Sequence, residues 1–166
     1  KELMSIPEFG KDEDGFFAGQ IGNKTIGFAM RRLSIIDLSS GKQPIFTDDK
    51  SKVIVFNGEI YNYKILKADL LNKGVQFHTT SDTEVILKLY EKYGTSSFEM
   101  LDGMVAFSIY DKTINKVFIV RDFFGEKPLY YTNDSNRGFI WCSELKSLIS
   151  IIDKKPEIDK TGLALF

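Results

Sequence analysis

Apolar residues are concentrated in short runs that have the length and composition of β-strands. These runs are rich in Val, Ile, Phe and Tyr, and they cover residues 15–20, 24–33, 52–57, 104–110, 116–121, 128–132 and 138–142. The runs at 104–110 and 116–121 flank a short polar turn, so we predict that they form an antiparallel hairpin. Both are almost entirely apolar, which predicts a sheet that is covered on both faces.

Other segments have helical periodicity. The first predicted helix covers residues 62–71 and ends before Gly74 as a C-cap, and its inward side consists of Ile65, Leu66, Leu70 and Leu71. The second begins with Ser81 or Asp82 as N-cap and stops at Gly94, and it buries Val85, Ile86, Leu89 and Tyr90. A third, short helix covers residues 144–149. Groups of strands interrupted by helices predict an α+β fold with antiparallel sheets.

The composition is that of a globular protein: of 166 residues, 43% are hydrophobic and 27% are charged. A chain of this length can bury a core as one domain without disulfides or metals. The net charge of −1 argues against a nucleic-acid partner and against an anionic membrane surface. No apolar run approaches the roughly 18 residues of a membrane-spanning helix, and the first residues carry no signal-peptide core. We therefore expect a cytoplasmic protein.

The sequence contains only one cysteine, Cys142, and one histidine, His78. This excludes disulfide frameworks, Cys/His zinc sites and most Cys–His nucleophile pairs, and we predict no metal site. The acidic run that starts at Asp12 lacks the glycine and the glutamate of a calcium-binding loop. Gly41-Lys42 lacks the upstream glycine of a phosphate-binding loop, so nucleotide binding is not expected in this segment. We expect Cys142, at the end of an apolar strand, to be a buried and unreactive thiol.

The densest polar signal is Asn57-Gly58, where an apolar strand is predicted to stop. A side-chain amide and an unhindered backbone N–H at one point can together hold an oxyanion. The alternative is a type I′ turn, for which Asn-Gly is the strongest short signal. No partner strand follows directly, which weakens the turn interpretation, but both interpretations stay open at this stage.

Two further positions carry candidate binding chemistry. An arginine of the Arg31-Arg32 pair, at the end of an apolar strand, offers a planar fork that fits a carboxylate. An edge charge or a structural ion pair is the more common use of such a pair. Asp82 could receive an ammonium group, although an acidic residue at this place usually caps a helix.

Five sequence blocks occur in a familiar order. They are RRLSIIDLSSGKQPI at 31–45, VFNGEIYNY at 55–63, TTSDTEVILKLY at 79–90, LDGMVAFSIYD at 101–111 and RDFFGEKPLYY at 121–131. Together they resemble the class II glutamine amidotransferase domain of glutamine-hydrolysing asparagine synthetases, from about Gly10 to Ser150. The resemblance implies an N-terminal-nucleophile hydrolase-like αββα sandwich, in which two antiparallel sheets lie between helices, with the first strand missing from this sequence.

The resemblance also implies the chemistry. In that family an N-terminal cysteine attacks the side-chain amide of L-glutamine, its own α-amine acts as the base, and ammonia passes to an ATP-dependent synthetase domain. The matching positions here imply a clamp on the α-carboxylate, a pocket wall, an oxyanion hole and receivers of the α-ammonium. Arg32 would clamp the α-carboxylate, and Leu33, Ile35 and Ile36 would form the pocket wall. Asn57 and Gly58 would form the oxyanion hole, and Glu59 and Asp82 would receive the α-ammonium.

Domain organisation and partners follow from the same resemblance. Residues 1–150 would form the amidotransferase domain, and residues 151–166 would be an exit segment toward a C-terminal synthetase domain. No cofactor is expected in this domain, whereas ATP and Mg²⁺ would act in the synthetase domain. A homodimer is also compatible with the family.

Some positions depart from the family pattern. Residue 1 is Lys1, so no residue of the sequence stands at the position of the nucleophile. The segment Glu8 to Gly15 matches the family loop HRGPDDEG without its His and Arg, and Met30 stands where a histidine is usual. Two function classes remain open. One is a glutaminase domain seen without its first segment, and the other is a noncatalytic scaffold of the same fold that stabilises a ligase domain.

Overall fold

The computed structural model describes residues 14–31, 42–153 and 156–165. The strands in chain order are β1 (Asp14–Ile21), β2 (Lys24–Arg31), β3 (Ile45–Phe46), β4 (Lys52–Ile60), β5 (Gly103–Asp111), β6 (Lys116–Arg121), β7 (Tyr130–Asp134) and β8 (Gly138–Cys142). The α-helices are α1 (Tyr63–Asn72), α2 (Asp82–Tyr93), α3 (Leu145–Ile151) and α4 (Lys160–Leu165), and a 3₁₀ helix covers Gly94–Met100. The chain divides into two compact units, residues 7–128 and residues 1–6 with 129–166.

The larger unit contains an antiparallel sheet of four strands in the order β3-β4-β5-β6. The predicted hairpin is confirmed as β5 and β6, whose pairing runs from Ala106 opposite Arg121 to Asp111 opposite Lys116. β1 and β2 form a separate antiparallel hairpin in the same unit. The α+β class with antiparallel sheets is therefore confirmed.

One face of β4 and β5 carries the hydrophobic core. Alternate residues of β4 point to the same face of a sheet, and Ile54, Phe56 and Ile60 are buried there. They pack with the buried residues of α1, α2 and β5, among them Leu66, Leu70, Val85, Ile86, Leu89, Tyr90, Phe107 and Ile109. Packing of two helices on this face fixes the position of the β4 end relative to the start of α2.

In α1 the prediction of the inward side was half correct. Leu66 and Leu70 are buried because residues four apart lie on the same helix face. Ile65 and Leu71 lie about 100° away from that face on either side, and their exposed fractions are 73% and 51%. The helix ends one residue later than predicted, at Asn72, and its C-cap is Lys73 rather than Gly74. Gly74 follows with a φ of 79°, and its N–H donates to the Leu71 carbonyl.

α2 begins and ends where the sequence predicted. Ser81 is the N-cap, and its Oγ accepts a hydrogen bond from Thr83 N–H at 3.2 Å. The C-cap is Gly94. Every residue from Thr83 to Tyr90 is buried, which is more than the single inward face that was predicted.

The predicted end of the strand at Asn57 was wrong. β4 continues through Gly58 to Ile60, paired throughout with β5, so the type I′ turn does not form. Gly58 has a φ of 153° and Gly103, at the start of β5, has a φ of 157°. A Cβ at either glycine would overlap a backbone carbonyl of the opposite strand. The two glycines therefore allow the strands to stay paired where larger residues would end the pairing.

The second unit contains the β7–β8 hairpin with α3. β7 begins two residues later than predicted and extends to Asp134, and α3 extends the predicted third helix to Ile151. The short helix α4 lies in the predicted exit segment and was not anticipated. Among the described residues no helix is long and apolar enough to cross a membrane.

Candidate functional site

The candidate site lies along one edge of β4, at the end of the strand that is not covered by β3. β3 has only two residues, which pair with Val53 and Ile54. Further along β4, Gly58 pairs with Val105 of β5. The direction in which the N–H and C=O of Gly58 point can be inferred from the hydrogen bonds of Val105. Both backbone groups of Val105 bond to Asp122, so they point away from β4. Gly58 and Val105 are therefore a non-hydrogen-bonded pair, and the N–H and C=O of Gly58 face the part of the β4 edge that no described strand covers, here called the open edge.

Gln43 occupies this edge next to the site. Its Oε1 accepts a hydrogen bond from Phe56 N–H at 2.6 Å, and its Nε2 donates to the Phe56 carbonyl at 2.9 Å. The side-chain amide of Gln43 thus makes the two bonds at Phe56 that the main chain of a longer β3 would make. The same Nε2 lies 3.4 Å from Thr83 Oγ1 on α2. Sequence reasoning missed this residue, although an amide side chain directly before a proline at a strand edge was a usable signal.

Asp82 occupies the other end of the same edge. It is the first residue of α2, and its Oδ2 accepts a hydrogen bond from Ile60 N–H at 3.3 Å. Because Ser81 is the N-cap, the simple capping alternative for Asp82 is wrong. The carboxylate instead joins the start of α2 to the end of β4.

Asn57, Gly58 and Glu59 lie between these two attachments. Successive residues of a strand point to opposite faces, so the side chains of Asn57 and Glu59 share the face opposite to the core. The Asn57 side chain is half-buried, and within the described part of the chain it makes no hydrogen bond. Glu59 is exposed. The structure thus brings four of the predicted site residues to one end of β4.

The remaining predicted site residues are Arg32, Leu33, Ile35 and Ile36, and they lie outside the described residues. The neighbouring Arg31 ends β2, and its Nε donates to Asp14 Oδ1 at 2.8 Å. Hydrogen bonding to Arg31 lowers the pKa of the Asp14 carboxyl. For Arg31 itself, the structural ion-pair alternative is confirmed.

A buried carboxylate fixes the backbone of the residues that precede α2. Glu84 is 3% exposed, and its two oxygens accept hydrogen bonds from His78 N–H at 2.9 Å and Thr79 N–H at 2.7 Å. Thr79 Oγ1 donates to the same carboxylate at 2.7 Å. These bonds fix the turn that precedes Asp82. The His78 ring is directed elsewhere, with Nε2 2.8 Å from Asp48 Oδ1.

Cys142 belongs to the other compact unit and is half-buried rather than buried as predicted. Its thiol donates to the Glu144 carbonyl at 3.0 Å, and burial raises its pKa. A thiol with a raised pKa is a poor nucleophile at neutral pH. In the described ranges no group of three or more His, Cys, Asp or Glu side chains could hold a metal ion.

Comparison with solved structures identifies the fold. The chain is similar to the glutamine phosphoribosylpyrophosphate (PRPP) amidotransferase from B. subtilis, with a TM-score of 0.64 and 22% identity. The similarity covers 82% of this chain and 37% of that structure. At this identity it shows the fold alone, and this agrees with the fold that the resemblance implied.

Comparison with protein families gives the particular family. The family model described as glutamine amidotransferase domain matches residues 1–166. The chain belongs to this family.

Several curated relatives are similar to the chain. Asparagine synthetase [glutamine-hydrolyzing] 2 of Bacillus subtilis is 54% identical over 75% of the chain and 16% of its own length. Asparagine synthetase B of Escherichia coli is 39% identical over 91% of the chain and 27% of its own length. The chain thus spans about a sixth to a quarter of the length of these relatives.

Proposed function

We propose that this chain binds L-glutamine and acts as the ammonia-supplying glutaminase domain of an asparagine-synthetase-like amidotransferase. The observation that carries the proposal is the open edge of β4. There the Gly58 N–H lies between the Phe56 peptide held by Gln43 and the Ile60 N–H held by Asp82. The adjacent Asn57 carboxamide supplies a second donor that no other described group uses.

Two donors that are fixed before the substrate arrives suit an oxyanion. In the proposed complex, Asn57 and Gly58 bind the side-chain carbonyl of glutamine, where negative charge develops during amide cleavage. Asp82 and Glu59 receive the α-ammonium. Arg32 forms a forked pair with the α-carboxylate, and Leu33, Ile35 and Ile36 line the pocket.

The proposed reaction is acyl transfer through a thioester, with release of ammonia. The nucleophile of this reaction is a cysteine, and burial raises the pKa of Cys142, the one cysteine of the sequence, which disfavours its reactive thiolate. We therefore expect no glutamate release from the 166-residue polypeptide above the solvent rate. Turnover that survives Cys142→Ser would show that the nucleophile has been misplaced.

The partner of the domain is proposed to be a C-terminal synthetase domain that uses ATP and Mg²⁺. The boundary at residue 150 and the exit segment 151–166 remain predictions. The identity of the ammonia acceptor depends on that domain.

A noncatalytic scaffold is the second candidate, because the loop from Glu8 to Gly15 lacks the His and Arg of the family. The residue encoded after the initiator methionine in the full reading frame distinguishes the two. Cysteine followed by Gly or Ser supports the glutaminase, and a different residue supports the scaffold.

The glutamine pocket can be tested on the chain itself by titration with L-glutamine and D-glutamine. We expect weak binding of L-glutamine and weaker binding of D-glutamine. An inverted α-carbon cannot satisfy Arg32 and Asp82 together while the side-chain amide still reaches Asn57. Arg32→Lys should weaken L-glutamine binding, because lysine cannot form the forked pair.

Equal affinity for the two enantiomers would contradict the proposal and reduce the interaction to anion binding. Absence of any L-glutamine binding would also contradict it. Binding is best followed by the amide resonances of Gly58 and Ile60, because these groups lie at the proposed contact.

A further inference from the structure

We propose that Gln43 is a positioning residue for the oxyanion donors at Asn57 and Gly58. The inference rests on the proposed function, which assigns those donors, and adds a residue that the sequence interpretation left without a role. Gln43 touches neither the proposed substrate nor the reacting atoms. It acts through the peptide group that joins Phe56 to Asn57.

The hydrogen bonds of Gln43 define this role. The Phe56 carbonyl that accepts from Gln43 Nε2 at 2.9 Å belongs to the same peptide group as the N–H of Asn57. The bond from Phe56 N–H to Gln43 Oε1 is 2.6 Å long. Both sides of Phe56 are therefore fixed to one carboxamide, directly before the residue whose side chain is the proposed donor.

The register of the sheet shows which backbone pairing the Gln43 side chain replaces. Ile45 pairs with Ile54 and Phe46 with Val53, so continuation of the same register would place Gln43 opposite Phe56. The main chain of Gln43 does not make the two bonds of that pair, because Phe56 N–H and C=O bond to the Gln43 side chain instead. The Gln43 carboxamide has the donor and the acceptor of a peptide group and takes over the pairing.

Gln43 also links this strand to the start of α2. Its Nε2 lies 3.4 Å from Thr83 Oγ1, and Thr83 follows Asp82 in the sequence. The carboxamide therefore contacts both elements that carry proposed binding groups. Its loss should move Asn57 and Gly58 relative to the groups that hold the α-ammonium.

The experiment compares Gln43→Met with a matched control. Methionine has a similar size but removes both bonds to Phe56. Asn62→Leu is the control, because the Asn62 carboxamide also bonds two backbone groups, the Met100 carbonyl at 3.0 Å and Asp102 N–H at 3.2 Å. Asn62 lies beyond the site, at the start of α1.

The readout is the affinity for L-glutamine relative to L-norvaline, an amino acid that lacks the side-chain carboxamide. Gln43→Met should weaken L-glutamine binding by about fivefold, the factor of one ordinary hydrogen bond, and leave L-norvaline binding unchanged. Asn62→Leu should leave the ratio of the two affinities unchanged. If Gln43→Met does not fold, Gln43→Asn, which keeps the amide but shortens the side chain, serves the same comparison.

An equal loss for both ligands in the Gln43 variant would overturn the proposal, since it would show a general structural role. An unchanged affinity for L-glutamine would overturn it as well. Failure of the proposed function has a different signature, in which the unaltered chain does not prefer L-glutamine over L-norvaline. In that case the role of Gln43 is tested by the Gly58 amide resonance of the ligand-free proteins. A shift of this resonance in Gln43→Met but not in Asn62→Leu would support the positioning role, and an unchanged resonance in Gln43→Met would overturn it.

Discussion

Asn57 is a half-buried polar residue in the middle of a paired strand, and within the described residues its carboxamide has no hydrogen-bond partner. A half-buried carboxamide beside the outward-facing Gly58 N–H suits the pair of oxyanion donors proposed above. Asn57 was predicted as an oxyanion donor from the Asn-Gly pair. The local reason was wrong, because the strand does not stop there.

Asn57→Ala tests this residue. We expect a small change in the free energy of unfolding, because Asn57 has no side-chain hydrogen bond to another described residue. In a form of the protein that carries the N-terminal cysteine, glutamine turnover should fall by about 10²–10³-fold, or roughly 3–4 kcal/mol. Steady-state kinetics measures the turnover, and urea denaturation measures the free energy of unfolding. A change confined to KM would indicate that Asn57 only shapes the pocket.

Tyr90 and Asp111 form a buried pair that contributes stability rather than chemistry. Tyr90 OH donates to Asp111 Oδ2 at 2.9 Å. Burial alone would raise the pKa of Asp111, but hydrogen bonds from Thr113 and Tyr90 outweigh it and lower this pKa below 3.8. A carboxyl whose pKa is lowered by folding stabilises the protein above the unfolded pKa, and this stability is lost as the pH falls through the folded pKa.

Tyr90→Phe should therefore reduce the free energy of unfolding at pH 7 by about 1–2 kcal/mol. The difference from the unaltered protein should shrink as the pH falls below 3.8, the ordinary pKa of the carboxyl. Urea denaturation at pH 7 and at a pH below 3.8 measures the difference in the free energy of unfolding. Tyr131→Phe, at an exposed tyrosine, is the control. A difference that does not depend on pH would show that the Asp111 charge plays no part.

At the scale of elements, the sequence predicted the strands and helices better than their ends. The bounds of α2 could be predicted because its N-cap and its terminal glycine are signals that lie within the helix segment itself. The continuation of β4 beyond Asn57 depends on Gly103, more than forty residues away, which allows close pairing. The role of Gln43 likewise depends on a partner strand. Contacts of this kind cannot be identified from periodicity, because they join segments that are distant in sequence.

The start of α2 provides an element-scale prediction. Glu84→Gln replaces one acceptor oxygen by an NH₂ group that faces the backbone N–H groups of His78 and Thr79. We expect a loss of about 1–3 kcal/mol in the free energy of unfolding, because a buried donor is left without an acceptor. The measurement is urea denaturation, and Glu99→Gln, at an exposed residue of the 3₁₀ helix, is the control. Equal stabilities of the two variants would contradict this role of Glu84.

At the scale of the whole molecule, the hydrophobic core is unevenly divided. The main cluster of buried residues comes from β4, α1, α2 and β5, all in the unit of residues 7–128. Among the described residues of the other unit, Leu148 is the buried hydrophobic side chain. Regions with few buried apolar contacts open at lower free energy than the core. The two units should therefore differ in local stability.

Hydrogen exchange tests this difference. Amides of β4 and β5, such as those of Ile54 and Ile109, are expected to exchange at least about tenfold more slowly than those of β7 and β8, such as Thr132 and Ile140. Ile54 faces β3 and Ile109 faces β6 in a four-stranded sheet, whereas β7 and β8 form a two-stranded sheet, so the comparison is confined to amides that are hydrogen-bonded within their own sheet. The candidate site lies on β4, and its donors would then be held by the most stable part of the chain, as a preorganised oxyanion hole requires. Equal protection of the two strand pairs would show instead that both units unfold together.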